Sequence, residues 1–387
     1  MRMPVTTQAA PDSGGAPHKR RLASLDAFRG LTIALMIVVN CPGDPSSVFS
    51  FLGHSPWNGW TFADTVFPSF IFIVGVSLVF SFAKREENGP SNWSTEARIL
   101  KRTVVLFLIG LFLSSFPTFA MSNIRIPGVL QRIAVCYLVT SLIVLKSGLR
   151  GRILWLIGLL VSYWLMMRFI PVPGIGAGVL EPGQNFAAWV DSIFLKGHMW
   201  SYYDNTWDPE GIVSTIPAIG TTLFGVLTGD WLRSSASERK KVAGMLCAGL
   251  VLILAGLVLD RWLPINKNLW TSTFSIFMAG VALLTLGFFH WFIDVAGFSR
   301  WPKPLIILGL NPIAIYVLSE VIDTALRSMN LAMSKGHEIT CQLFLFNSFC
   351  IPVGEVKTAS MLYALGILIG MYLVAWILWR RRIFIKV

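Results

Sequence analysis

Apolar runs long enough to cross a lipid bilayer recur along most of this chain of 387 residues. The hydrocarbon core of a bilayer is ~30 Å thick, so a helix that crosses it needs roughly 20 mainly apolar residues. The runs therefore predict an all-α fold, a polytopic membrane helix bundle of about ten transmembrane helices. The first run is short unless its helix begins back at Ser24 or Leu25. The predicted spans cover residues 30–40, 62–83, 102–117, 129–145, 153–170, 213–232, 242–259, 271–292, 304–322 and 359–379.

The distribution of Lys and Arg orients these spans. Only 13% of the residues are charged, against about 25% in soluble domains. Most of the 32 Lys and Arg residues fall in alternate loops if the N-terminus is inside, and cytoplasmic loops carry such an excess. We therefore predict that both termini are cytoplasmic. The same distribution accounts for the net charge of +12 without nucleic acid.

The domain organisation follows from where the apolar runs begin and end. Residues 1–21 are rich in Thr, Gln, Ala, Pro, Ser and Gly and predict a disordered cytoplasmic segment. Residues 22–387 predict one transmembrane domain with two long exported loops, 171–212 and 323–357. The five cysteines have no metal-ligand spacing, so we expect no metal. Cys341 and Cys350 share the second exported loop, which leaves a disulfide between them open.

Polar residues at membrane depth are the informative ones, because each is costly there. Before the second span, Asn40 ends the first helix, His54 lies in a short exported loop, and Asp64 begins the next helix. Asn40 alone favours a helix C-cap, and a lone loop histidine is usually a surface or packing residue. His54, Asn58 and Asp64 are close in sequence and could converge on one pocket. Near the start of the first helix, Arg29 is spaced to pair with Asp26 or to face a cofactor.

The long exported loop combines acidic and aromatic residues. Asp208 and Glu210 follow a stretch that contains Trp200, Tyr203 and Trp207. Such a set suits a sugar, whose CH faces stack on rings while its hydroxyls form hydrogen bonds, and carboxylates also suit a cationic amine. An interfacial aromatic belt is the alternative.

A third set of polar residues flanks the later spans. Interhelical hydrogen bonding is the simplest role for this set. Its members are Gln131, Arg132, Asn266, Lys267, Asn268, Asn311 and Glu320.

Several common catalytic motifs do not occur in the chain. The sequence has no Walker A motif, no GxGxxG between a strand and a helix, no HExxH and no GxSxG. ATP hydrolysis, dinucleotide redox chemistry and zinc proteolysis therefore have no support. Transport remains, as does chemistry on a lipid-bound or membrane-crossing substrate.

A set of irregular motifs resembles one family over nearly the whole chain. The chain is similar to the transmembrane acyltransferases typified by heparan-α-glucosaminide N-acetyltransferase and to their bacterial NagX-type relatives. The matches occur in order from about residue 22 to residue 387. They are SLDAFRGLTIALMIVVN, HSPWNGWTFADTVFPSFIF, IRIPGVLQRIA, DPEGIVSTIPAI, INKNLWTSTF, NPIAIYVLSE and WRRRIFIKV.

The resemblance implies an activity and two catalytic residues. The family moves an acetyl group from cytoplasmic acetyl-CoA to the amine of a terminal glucosamine on the far side of the membrane. Its catalytic histidine matches His54, and its partner asparagine matches Asn40, although the interval between the two is longer here. A neutral imidazole can accept the proton of the amine, and an amide N–H can stabilise the developing oxyanion. Direct transfer and a route through an acetyl-histidine intermediate both remain open.

The resemblance also suggests which residues bind the two substrates. We expect an amino-sugar acceptor on the periplasmic side and acetyl-CoA, a co-substrate, from the cytoplasm, where cations would bind its phosphates. By the predicted topology, Arg132 lies at the opposite end of its span from the other cations, so the acceptor side is the alternative for it. The acceptor set is Trp57, Asn58, Asp64, Asp208, Glu210, Asn268 and Trp270. The acetyl-CoA set is Arg29, Arg98, Lys101, Arg102, Gln131 and Arg132.

Three functions of different classes follow from these residues. The leading one is a membrane-embedded glucosamine or glucosaminide N-acetyltransferase of the bacterial inner membrane, expected to be a homodimer. The alternatives are an amino-sugar permease and an O-acyltransferase that acts on a periplasmic glycan. Transport would not require acetyl-CoA or His54, and O-acylation would leave the acetyl group on oxygen. The length of the sugar acceptor and the range of acyl chains are not specified by the sequence.

Overall fold

The computed structural model describes residues 22–88, 94–298, 300–332 and 338–385. The segment 1–21, predicted to be disordered, lies outside these residues. Most of the described chain is helical, and a short antiparallel pair, β1 (Asn330–Ala332) and β2 (Glu338–Thr340), is the exception. The helices are α1 (Ala23–Asn40), α2 (Val66–Asn88), α3 (Thr95–Ser115), α4 (Val129–Lys146), α5 (Leu149–Phe169), α6 (Phe186–Phe194), α7 (Ile212–Arg233), α8 (Glu238–Leu259), α9 (Ser272–Phe289), α10 (Lys303–Leu310), α11 (Pro312–Ser328), α12 (Cys341–Leu345) and α13 (Val356–Arg380).

The predicted all-α membrane bundle is confirmed. Eight helices in the described part of the chain are long and apolar enough to cross a membrane, and the pair α10–α11 adds a ninth candidate. Helix α3 overlaps the predicted span 102–117. It is not among the eight membrane-crossing candidates, because its first half carries the charged residues Glu96, Arg98, Lys101 and Arg102. Helix α1 begins at Ala23, so the first span does reach back beyond Ser24.

The ninth predicted span, 304–322, differs in shape from the prediction. Helices α10 and α11 meet at an angle of 82° on either side of Asn311. Pro312 opens α11, and its ring cannot continue a hydrogen-bond ladder from α10. The side-chain amide of Asn311 forms hydrogen bonds with the chain after α13 instead. Its Nδ2 donates to the Ile383 carbonyl (3.1 Å), and its Oδ1 accepts from the Ile385 N–H (2.7 Å). Asn311 therefore lies at a break that is tied to the chain after α13, and not inside a span.

The bundle has two chemically different ends. At the first, the Ser24 end, the Ser24 N–H donates to Asp294 after α9 (3.3 Å), and His290 contacts Glu238 at the start of α8 (2.8 Å). The second end is the His54 end. Helix α1 ends there at Asn40, and both long loops lie at this end of the bundle. The predicted topology places the Ser24 end in the cytoplasm.

The two predicted exported loops contain structure of their own. Helix α6 lies in the loop 171–212, whereas the second loop is shorter than predicted because α11 continues to Ser328. In that second loop Asn330 pairs with Thr340 in the two-stranded sheet. Cys341 and Cys350 are both free thiols in the structure, so they form no disulfide there.

Glycines bring α2 and α7 into backbone contact. A Cβ added at Gly75 would overlap the Thr222 carbonyl oxygen, and one added at Gly225 would overlap the Phe72 carbonyl oxygen. Small residues at such crossings let membrane helices approach closely and gain van der Waals contact. The pair holds the first half of α2, which follows the loop that contains His54, against α7.

This contact predicts that Gly225→Ala destabilises the protein. The new methyl group has backbone rather than a flexible side chain in its way, so we expect a cost of about 1–3 kcal/mol. Thermal unfolding in detergent, followed by tryptophan fluorescence, measures it. Gly158→Ala is the matched control, because among the described residues no atom beyond its own turns of helix lies within 4 Å of the added Cβ, and alanine favours a helix. Equal melting temperatures for the two variants would contradict the prediction.

Candidate active site

His54 and Asp64 form a hydrogen-bonded pair in the loop between α1 and α2. His54 Nδ1 lies 2.8 Å from Asp64 Oδ1. The Asp64 side chain is fully buried, whereas that of His54 is 46% exposed. Asp64 Oδ2 accepts from the N–H groups of Ser55 (3.1 Å) and Thr61 (2.9 Å) and from the Thr61 hydroxyl (3.1 Å). These donors hold the carboxylate in one orientation, and the carboxylate in turn orients the imidazole.

The shorter of two contacts at His54 Nδ1 favours one tautomer of the neutral ring. An ionised carboxylate only accepts hydrogen bonds, so the 2.8 Å contact with Asp64 favours a hydrogen on Nδ1 that is donated to Asp64, whereas the 3.0 Å contact with Lys267 alone would suit a bare Nδ1. The lone pair of the neutral ring then lies on Nε2. Nε2 is the atom of this pair that can accept a proton from a substrate.

A second loop, residues 260–271 between α8 and α9, docks on the His54 loop. The Gly59 N–H donates to the Ile265 carbonyl (2.7 Å), and Asn266 Nδ2 donates to Asn58 Oδ1 (3.1 Å). Gly59 has a φ of +93°, a conformation that favours glycine. Asn268 Nδ2 lies 3.5 Å from the Pro56 carbonyl. Asn58 and Asn268, both predicted to bind the acceptor, thus join the two loops.

Lys267 extends from this second loop to the histidine pair. Its Nζ lies 3.0 Å from His54 Nδ1 and 3.5 Å from Asp64 Oδ1, and its side chain is 16% exposed. Burial lowers the pKa of Lys267, while the negative charges of Asp64 and Glu210 oppose that shift by stabilising the ammonium. The 3.5 Å distance to Asp64 Oδ1 is within the range of a salt bridge, so the ammonium form of Lys267 has a counter-charge at this site.

Aromatic rings connect His54 to the long loop 171–212. Trp57 Nε1 donates to the Leu180 carbonyl (3.0 Å), and its ring packs edge-on against Trp207 at 5.0 Å between centroids. Tyr203 stacks on Trp207 at 3.9 Å. Trp57 is partly exposed beside His54, which suits the predicted role of a sugar platform.

Arg125 forms ion pairs with both acidic residues that were singled out in the loop 171–212. Its guanidinium donates to the two Asp208 oxygens (2.8 and 2.7 Å) and to Glu210 Oε2 (2.5 Å), and it lies 4.5 Å from the Trp200 ring. The Asp208 side chain is fully buried. Burial opposes ionisation of Glu210, but the charges of Arg125, Arg132 and Lys267 outweigh it and lower its pKa. Asp208 is thus enclosed, and Glu210 keeps one oxygen beyond its ion pair.

Arg132 is buried at the His54 end, beneath the acidic loop. Its Nη2 donates to the Pro209 carbonyl (2.7 Å) and to the Ser214 hydroxyl (2.5 Å). The guanidinium lies 5.0 Å from the ring of Trp270, itself only 1% exposed. Gln131, also buried, donates to the Ser114 hydroxyl (3.3 Å). Arg132 thus lies at the His54 end, its Nε and Nη1 have no hydrogen-bond partner among the described residues, and the substrate that it serves stays a prediction.

Asn40 is exposed at the last position of α1. Its Nδ2 donates to Glu320 Oε1 on α11 at 2.9 Å, which fixes the amide and leaves a second N–H. Among the described residues, the amide hydrogen bond of Asn40 is to Glu320 and not to the His54 pair. Sequence reasoning placed Asn40 and His54 in one site, and the structure places both at the same end of the bundle.

The remaining basic candidates lie at the Ser24 end. Arg29 donates to Asp26 (2.8 Å) and to the Ser77 hydroxyl (2.7 Å), so the predicted ion pair is present. Arg98, Lys101 and Arg102 lie together in the first half of α3. Arg102 lies 4.6 Å from the Tyr137 ring, and its buried Nε has no hydrogen-bond partner among the described residues. An orphaned guanidinium N–H of this kind fits a phosphate oxygen.

Two residues of the site were not assigned from the sequence. Lys267 was considered only as a helix-linking polar residue, and Arg125 was not singled out. Both stand within the motifs INKNLW and IRIPG, which offered a signal, but their partners are far away along the chain. No group of three or more His, Cys, Asp or Glu residues that could hold a metal occurs within the described residues.

Comparisons with known proteins agree on one family. The family model described as "Heparan-alpha-glucosaminide N-acetyltransferase, catalytic" matches residues 21–259. Heparan-alpha-glucosaminide N-acetyltransferase of Mus musculus is 30% identical over 358 residues, which cover 78% of this chain and 54% of that protein. The protein of the same name from Homo sapiens is also 30% identical, with 78% of this chain and 53% of the relative covered. The chain thus spans about half the length of these relatives.

Proposed function

Because this chain belongs to the heparan-alpha-glucosaminide N-acetyltransferase family, we propose that it transfers an acetyl group from acetyl-CoA to the amine of glucosamine or of a terminal glucosaminide. The observation that carries the proposal is the His54–Asp64 pair, which offers a half-exposed base held by a buried carboxylate. The family relationship supports acetyl transfer, and the pair supplies the group that such a transfer needs.

The chemical step requires a neutral amine and a proton acceptor. The amine nitrogen attacks the carbonyl carbon of the acetyl thioester, so that a C–N bond forms and the C–S bond breaks. The proton lost by nitrogen passes to His54 Nε2, and from there to the sulfur of the departing CoA. A base positioned in this way typically contributes 10²–10⁴-fold to the rate.

Asn40 is the proposed donor to the developing oxyanion. Its amide is held by Glu320 at 2.9 Å and has a second N–H to offer. A donor that is fixed before the reaction needs no reorganisation when charge develops, and removal of one such donor typically costs about 2.7–4 kcal/mol. Trp57, beside His54, would stack on the face of the sugar.

The two substrates are proposed to enter from opposite ends of the bundle. Arg29, Arg98, Lys101 and Arg102 would bind the CoA phosphates at the Ser24 end, in the cytoplasm. The acceptor would reach His54 from the periplasmic side of a bacterial inner membrane. The positive residues near the Ser24 end and both termini support this orientation, because cytoplasmic segments carry the excess of Lys and Arg.

The test follows CoA release by the purified protein in nanodiscs supplied with acetyl-CoA. We expect release to require glucosamine and to yield an N-acetyl product by mass spectrometry. Glucose and N-acetylglucosamine are matched controls, since the first lacks the amine and the second has it blocked. Equal release with glucose would instead favour O-acylation. No release with any sugar, together with glucosamine uptake into liposomes, would favour a permease.

A further inference from the structure

The Lys267 ammonium is the second charged group against His54. Its Nζ lies 3.0 Å from His54 Nδ1, closer than its 3.5 Å distance to Asp64 Oδ1. The contact is not a chance approach of a mobile side chain, because Lys267 is mostly buried. The backbone around it is pinned by the Gly59–Ile265 hydrogen bond (2.7 Å) and by the Asn266–Asn58 contact (3.1 Å).

This arrangement is unfavourable once His54 is protonated. Nδ1 donates to Asp64, so the ammonium cannot also donate to Nδ1, and the contact is not a hydrogen bond in that tautomer. An imidazolium would then lie within 3.0 Å of a second cation. Like charges at this distance disfavour the charged form. The charge of Lys267 therefore opposes that of Asp64, which by itself would draw a proton onto the ring.

Charged groups of opposite sign surround the His54 ring and Lys267. Within the described residues, Asp64 and Lys267 contact His54, and the charges of Glu210 and Arg132 also act on Lys267. Glu210 helps to keep the lysine charged, as Asp64 does.

We propose that Lys267 is a positioning residue that keeps His54 in its neutral, proton-accepting form while Asp64 orients the ring. The role of His54 as a base rests on the proposed function, but the effect of Lys267 on its protonation does not. A base that stays neutral at lower pH accepts the proton of the amine over a wider pH range.

The test compares Lys267→Met and Lys267→Arg with the wild type in nanodiscs. Diethylpyrocarbonate modifies neutral imidazole, so the rate of His54 modification against pH, read by peptide mass spectrometry, reports the protonation of this residue directly. In Lys267→Met we expect the midpoint to move to higher pH by about one unit, the low end for a close charge because His54 is half exposed. Lys267→Arg should restore the wild-type midpoint.

Two controls separate charge from folding. Lys196→Met removes an exposed lysine in the loop 171–212 and should leave the midpoint unchanged. If Lys267→Met is not monodisperse, Lys267→Gln provides the second neutral variant. An unchanged or lower midpoint in a folded neutral variant, or an arginine variant that behaves like methionine, would overturn the proposal.

The activity measurement distinguishes this inference from the proposed function. If the enzyme is an acetyltransferase, the acid limb of its kcat/KM profile should move by the same amount as the modification midpoint. If the wild type releases no CoA but the midpoint still shifts in Lys267→Met, the proposed function fails and the inference about Lys267 stands.

Discussion

Replacement of His54 by alanine is expected to lower kcat for amine-dependent CoA release by about 10²–10⁴-fold, the usual contribution of a general base. The half-exposed ring lies at the surface of its loop, and its hydrogen bond is to Asp64, so the variant should fold normally. KM for acetyl-CoA should change little, because the proposed phosphate ligands lie at the other end of the bundle. Steady-state kinetics in nanodiscs measure both quantities.

His198→Ala is the matched control for this experiment. His198 lies at the same end of the bundle, where, among the described residues, its Nδ1 contacts the Ile124 carbonyl at 2.9 Å rather than a carboxylate. We expect the control to keep its activity. Activity of His54→Ala within tenfold of the wild type, or an equal loss in His198→Ala, would contradict the assigned base.

Asp64→Asn tests the orienting half of the pair. An amide at position 64 can donate to Nδ1, which would move the hydrogen of the neutral ring to Nε2 and remove the acceptor from the substrate side. We therefore expect the asparagine variant to lose activity although it retains the size of the side chain.

In the wild type, absence of an acetylated protein after incubation with acetyl-CoA alone would favour direct transfer over an acetyl-histidine intermediate.

The spans could be predicted because membrane insertion depends on hydropathy, which is a local property. All ten predicted spans overlap helices of the structure. The break at Asn311 was not predicted, since the residues on both sides are equally apolar. Its signal was the pair Asn311–Pro312, but a proline at the start of a run is also compatible with a simple helix N-terminus. The partners that satisfy the Asn311 amide, Ile383 and Ile385, lie at the far end of the chain.

The site was only partly predictable for the same reason. His54 and Asp64 are ten residues apart, so their convergence could be suggested from the sequence. Lys267 is 213 residues from His54, and the docking of two loops brings them together. Asp208 and Glu210 were predicted to bind the acceptor, which stays a prediction, and their distant partner Arg125 was not singled out. A sequence shows which groups are costly to bury and does not show which charge compensates them.

Replacement of Arg125 by methionine should strongly destabilise the His54 end of the bundle. The side chains of Asp208 and Glu210 are 0% and 9% exposed, and both depend on this guanidinium. Removal of one partner of a buried ion pair typically costs 3–5 kcal/mol, because a charge is left without compensation. Methionine keeps much of the volume, so the loss should reflect charge rather than a cavity. Thermal unfolding in detergent measures it.

The pH dependence of this loss separates charge from packing. Burial already raises the pKa of Asp208 in the wild type, and loss of the guanidinium raises it further. The pKa of Glu210 rises as well, because Arg132 and Lys267 are then the remaining positive charges that oppose its burial. A group with a raised folded pKa contributes stability at low pH that is lost as the pH rises through the folded value. The deficit of Arg125→Met should therefore be smaller at pH 5 than at pH 8. Arg168→Met, at an exposed position of the same end, should stay within about 0.5 kcal/mol at both pH values. A deficit that does not change with pH would mean that Arg125 stabilises the loop by packing on Trp200 rather than by its charge.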